Sequence, residues 1–182
     1  MKDEKEKDFD SMDRSDCRKF SKKKGGKILF FINLIFLICL ACFSLFVGKL
    51  PIVSGNSMEP NYHDGEILFT NNIKKDVSIN RGDVVIAKAS DGLVIIKRVI
   101  GLPGETVSCG ENGEVLVDGK VIDRSYSAGD VETYFLPTTC DDNEYFLMGD
   151  NTNHSSDSRY YGTFKRSSLM GIVRFKVYSK GK

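Results

Sequence analysis

Residues 82–102 read GDVVIAKASDGLVIIKRVIGL, two runs rich in Val and Ile separated by Asp91-Gly92. An Asp-Gly pair tolerates the positive φ angles of a tight turn, and short apolar runs either side of one predict a β-hairpin. Period-two alternation in the second run puts Ile95 and Val99 on the face of Lys97 and turns Arg98 the other way. Lys97 is therefore a charge directed into an apolar surface.

Working outward, the same texture recurs. Gly65 to Thr70, Glu114 to Ile122, Glu144 to Gly149 and Gly171 to Ser179 are further short apolar runs, and Asn112-Gly113 and Asp118-Gly119 are further turn dipeptides. No long segment after residue 49 has clear helical periodicity. The expectation is a mainly β domain over 49–182, a set of coiled antiparallel sheets, with Thr106 to Leu136 a candidate smaller inserted lobe.

The first quarter of the chain is different. From Ile28 to Val47 there is no charged residue, and a helix of that length would reach roughly 30 Å, the thickness of a bilayer's hydrocarbon. Arg18, Lys19, Lys22, Lys23, Lys24 and Lys27 precede this run, whereas Lys49 is the only cation after it until Lys74. That asymmetry predicts a transmembrane helix over 28–48, with residues 1–27 a charged, disordered cytoplasmic tail and the β domain outside the cell membrane. A removable secretory leader is the alternative, although its apolar run is usually only about 7 to 15 residues.

Charge is balanced overall, 26 Lys and Arg against 25 Asp and Glu, so composition gives no reason to expect a nucleic-acid partner. No Cys–His cluster has zinc-ligand spacing, and neither metal nor cofactor is expected. Of five cysteines, Cys109 and Cys140 alone fall on the oxidising side of this topology. Whether they are bridged is left open.

Three places could carry chemistry. Ser57 lies in Val53-Ser54-Gly55-Asn56-Ser57-Met58-Glu59-Pro60, where Gly and Pro favour a tight turn that exposes a hydroxyl. A serine nucleophile needs a base, and Lys97 qualifies if burial lowers its pKa from near 10.4 to about 7 or 8. The loop from Gly149 to Tyr160 is crowded with hydroxyls and carboxylates. In it Ser155 can hydrogen-bond a lysine, and Asp157 with Arg159 can pair and brace the loop. Each also has an ordinary reading: a polar loop, a lysine reaching solvent from a strand edge, an Asx- and Ser-turn segment.

Taken in order, these motifs resemble type I signal peptidases, especially the small single-anchor kind of Gram-positive bacteria, over roughly Phe30 to the C-terminus. Ser57-Met58-Glu59-Pro60 is similar to the family's nucleophile box, Arg81 to Val85 to a structural strand box, and Lys97 to Glu105 to the lysine box. Gly149-Asp150-Asn151 with Ser155 to Arg159 is similar to the last box. The resemblance implies a hydrolase, a serine endopeptidase that removes signal peptides from exported preproteins, with Ser57 as nucleophile, Lys97 as general base and Ser155 orienting Lys97. Asp157, Arg159, Met58 and Gly55 would be supporting residues. Gly55 stands where some relatives carry a serine two places before the nucleophile, which leaves the second oxyanion donor open. Implied partners are preproteins with Ala-x-Ala type cleavage sites, the lipid bilayer and the protein translocation machinery; the fold would be that of signal peptidases and self-cleaving repressor domains.

Two rival readings fit the same residues. A Ser–His–Asp protease would have to use His63 or His154, neither in an informative context. A non-enzymatic binding module on an anchor would leave Ser57, Lys97 and Ser155 without a task.

Overall fold

The computed structural model describes residues 26–40, 50–73, 77–132 and 134–179. The chain divides into two compact units, 1–46 and 47–182. In the first, residues 26–40 form helix α1, which begins two residues before the uncharged run. Its apolar side chains, Ile28 through Leu40, are exposed along the described length. The expected span 28–48 extends into residues outside those described, as does most of the expected cytoplasmic tail. Among the described residues no helix is long and apolar enough to cross a membrane.

The second unit is antiparallel β-structure. Its strands are β1 (Ile67–Asn72), β2 (Val84–Lys88), β3 (Val94–Gly101), β4 (Thr106–Cys109), β5 (Val115–Val117), β6 (Lys120–Val121), β7 (Thr138–Thr139), β8 (Glu144–Met148), β9 (Phe164–Lys165) and β10 (Leu169–Tyr178). Six of them form one sheet in the order β1-β10-β2-β3-β8-β9, and four form a second in the order β6-β5-β4-β7. The Asp91-Gly92 turn joins β2 to β3, with Val85 opposite Lys97 and Ile86 opposite Ile96. At the β5–β6 turn Asp118 and Gly119 both have positive φ, 50° and 74°, which a β-branched residue could not adopt without strain.

Both faces of the larger sheet are covered. On one, Val85, Ala87, Val99, Leu147, Phe164, Leu169 and Ile172 pack together; on the other, Leu68, Val84, Ile86 and Ile96 meet Val53 and Met58 from the segment that bears Ser57. The second sheet has its own cluster around Val107, Val115, Val117, Cys140 and Phe146. Cys109 and Cys140 are free thiols in this structure. Burial pushes the Cys140 thiol up to about 11, so it acts as a small apolar side chain.

Candidate active site

Ser57 reaches its position through the loop that closes between Val53 and Glu66. The Val53 N–H donates to the Glu66 carbonyl at 2.8 Å and the Gly65 N–H to the Val53 carbonyl at 2.9 Å, so the loop's two ends are stitched together. Within it Met58 is wholly buried among Val53, Leu68, Val84, Ile86 and Ile96. The apolar side chain next to the serine thus pins the turn, while Ser57 itself stays partly accessible. Gly55, at φ +84°, donates its N–H to Asp64 Oδ1 at 2.8 Å and so is already committed.

Lys97 comes from the middle of β3. Val99 exchanges backbone hydrogen bonds with Gly82 and Asp83, so odd-numbered residues of β3 bond toward β2 and Ile96 presents its carbonyl to the opposite edge. There β8 pairs only from Arg98 onward, opposite Met148, leaving 94–96 without a strand on that side. The Ile96 carbonyl accepts from Lys97 Nζ at 2.9 Å, and the same nitrogen is 2.8 Å from Ser57 Oγ. Beside the pair runs a cleft of about 150 Å³ lined by Ile52, Val53, Ser54, Ile86, Val94 and Ile95.

Lys97 is only 3% exposed. Burial lowers its pKa from 10.5 to about 8; the carboxylates of Asp157 and Asp150 oppose that fall, and the Arg159 charge adds to it. An amine with that pKa is neutral in about a tenth of molecules at pH 7 and about half of them at pH 8, and in that form it can accept a hydroxyl proton.

The polar loop after β8 holds the remaining residues. Asp157, fully buried, accepts from the Gly149 N–H at 3.0 Å and takes both Nε and Nη2 of Arg159 at 2.8 Å. Arg159 Nη2 also donates to the Thr152 carbonyl at 2.6 Å, so this pair ties the two ends of the loop. Ser155 does not bond Lys97. Its Oγ is buried without a hydrogen-bond partner among the described residues, and the lysine is held by the Ile96 carbonyl instead. Ser155 and Ser57 meet across Gly149, where a Cβ would lie 2.3 Å from Ser155 Oγ and 2.5 Å from the Ser57 carbonyl oxygen.

Several residues of the site escape reading by residue type. Arg98 forks onto Asp150 at 2.7 and 2.6 Å, and Asp150, fully buried, also accepts from Asn61 Nδ2 at 2.9 Å. Asn151 donates its N–H to the Ser57 carbonyl at 3.0 Å and its side-chain amide to the Asn56 carbonyl at 3.1 Å. The available signal was Arg98 itself, a cation turned to the face opposite Lys97 and therefore in need of a carboxylate. His63 lies 3.6 Å from Glu59 and His154 closes a short 3-10 turn; among the described residues neither is hydrogen-bonded to Ser57.

The geometry thus sets a buried lysine against a serine hydroxyl at the open edge of an antiparallel sheet. Residues 26–178 match the family described as Signal peptidase, peptidase S26, and the chain belongs to that family. It is similar to Signal peptidase I S of Bacillus subtilis, 35% identical over 73% of this chain and 78% of that protein. It is also similar to Signal peptidase I of Streptococcus pneumoniae, 32% identical over 80% of this chain and 89% of that one. A crystal structure of a signal peptidase I from Enterococcus faecalis aligns with a TM-score of 0.47 at 28% identity, covering 54% of this chain and 98% of that one. The protein is accordingly a serine peptidase of the signal peptidase type.

Proposed function

We propose that Ser57 and Lys97 are the catalytic pair of this signal peptidase and that a membrane anchor over 28–48 holds it beside its substrates. The observation that carries the reading is the 2.8 Å contact between Ser57 Oγ and a lysine nitrogen that is almost fully buried. In the first step neutral Lys97 Nζ takes the hydroxyl proton as Ser57 Oγ attacks the carbonyl carbon of the scissile bond. The Ser57 backbone N–H stabilises the developing oxyanion. The ammonium so formed then gives its proton to the leaving amine, which departs as the mature protein's N-terminus. Water, deprotonated by Lys97, attacks the acyl-serine; the acyl–Oγ bond breaks, Lys97 returns the proton to Ser57 Oγ, and the leader leaves as a carboxylic acid. Ser155, whose Oγ is buried and has no hydrogen-bond partner among the described residues, lies across Gly149 from Ser57 and is the residue proposed to orient Lys97 during these transfers; Asp157 and Arg159 keep its loop in place.

The preprotein would lie extended in the cleft, adding to the strandless edge of β3 at 94–96. The small volume beside Ile52, Val53, Ile86 and Ile95 favours the short side chains of an Ala-x-Ala site. Ser57→Ala and Lys97→Ala should each abolish cleavage of an internally quenched Ala-x-Ala peptide by the full chain in detergent micelles, with the domain still folded. The double variant should be no worse than either, because the two groups act as one unit. Turnover surviving in either single variant contradicts the pair.

A further inference from the structure

Glu66 is a fully buried carboxylate outside the catalytic cleft. It is the residue at which the Ser57 loop rejoins the sheet, and its backbone closes that loop onto Val53. Its side chain does something separate. Oε1 accepts from Lys176 Nζ at 3.0 Å and from Ser179 Oγ at 2.8 Å, while Oε2 accepts from the His63 N–H at 3.1 Å and stands 2.8 Å from Lys176 Nζ. One carboxylate therefore bonds to the loop with one oxygen and to Lys176 of β10 with both, Oε1 also taking Ser179 just beyond that strand. Lys176 Nζ also sits 5.0 Å over the ring of Tyr62, whose N–H donates at 2.9 Å to the carbonyl of Met58, the neighbour of Ser57.

Burial of the core does not require this charge. An apolar side chain of similar size would fill the place, and exchanging a buried ion pair for apolar residues commonly leaves stability unchanged or raises it. What the ion pair adds is direction: it accepts only one arrangement of loop and strand. Although burial would raise its pKa, the bonds from Lys176, Ser179 and the His63 N–H hold the Glu66 carboxyl below its ordinary value, so it stays ionised wherever the amine of Lys97 is neutral.

We infer that Glu66, with Lys176 as its counter-ion, is a positioning residue that fixes the Ser57 loop against β10 and so sets the serine's approach to Lys97. The inference rests on Ser57 being the nucleophile. Its signature is a loss of kcat that does not follow stability, since a serine displaced by a fraction of an ångström still binds substrate through the cleft.

The test compares the full chain with Glu66→Gln, with the double variant Glu66→Leu/Lys176→Met and with Ser57→Ala, using the quenched Ala-x-Ala peptide and thermal unfolding. Both Glu66 variants should lose kcat about tenfold or more with KM within about twofold. The double variant should unfold at or above the wild-type temperature. A kcat within about twofold of wild type in the folded double variant overturns the inference; should that variant fail to fold, the same result in Glu66→Gln does so. Residual turnover in Ser57→Ala would instead remove the catalytic reading itself, so the two failures are distinguishable.

Discussion

A methyl group added at residue 149 would meet Ser155 Oγ at 2.3 Å and the Ser57 carbonyl oxygen at 2.5 Å. The hydroxyl could turn aside, but a backbone carbonyl cannot, so Gly149→Ala should move Ser57, the proposed nucleophile, and lower kcat on the order of 100-fold, read by the peptide assay. Lys97 gives a second prediction, on stability. Its folded pKa of about 8 lies below the ordinary 10.5, so between those values the unfolded chain binds more protons and stability rises with pH. At neutral pH the buried amine therefore costs up to about 3 kcal/mol, and Lys97→Met should recover part of that in denaturant titrations, with the gain vanishing above pH 10.5. Lys97 was legible in the sequence because alternation alone aims it at an apolar surface. Asp150 was not: a carboxylate in a polar loop looks like a turn former, and only the fold shows Arg98 and Asn61 converging on it.

The strands that could be read from sequence are those with three or more apolar residues, and β1, β2, β3, β8 and β10 fall within or beside the runs that predict them. The run Glu114 to Ile122 is a hairpin, β5 and β6, turning at Asp118-Gly119. The strand β4 and the two-residue β7 and β9 are too short, and too polar on one side, to leave a pattern; they exist because longer neighbours offer them edges. The element that matters most is the strandless stretch 94–96 of β3, which follows from β8 stopping at Met148. The ion pair between Arg98 and Asp150 anchors that end: the side chains are 14% and 0% exposed. Removing one partner leaves an uncompensated buried charge, so Arg98→Ala should lower the unfolding free energy by about 3 to 5 kcal/mol in denaturant melts. A loss below about 1 kcal/mol would mean that the pair acts like a surface bridge.

For the whole molecule, the sheet order β1-β10-β2-β3-β8-β9 brings together residues 57, 97, 149 and 155, which no local pattern connects. Such non-local pairing is set by global packing, so the family motifs could name candidate residues but only the fold gives the distances between them. The proposed anchor adds effective concentration and no chemistry. Removing residues 1–49 should leave kcat/KM on a soluble peptide within about threefold but slow processing of a preprotein embedded in lipid vesicles on the order of 100-fold. Equal losses on both substrates would contradict an anchoring role. The proposed catalysis depends on Lys97 Nζ being uncharged while it touches Ser57 Oγ, and the most direct measurement is an NMR titration of the lysine 13Cε signals in the full chain, with Lys97→Met to assign the resonance. The account predicts a midpoint near pH 8, coincident with the acid limb of kcat/KM; a midpoint near 10.5 in an enzyme fully active at neutral pH would contradict it.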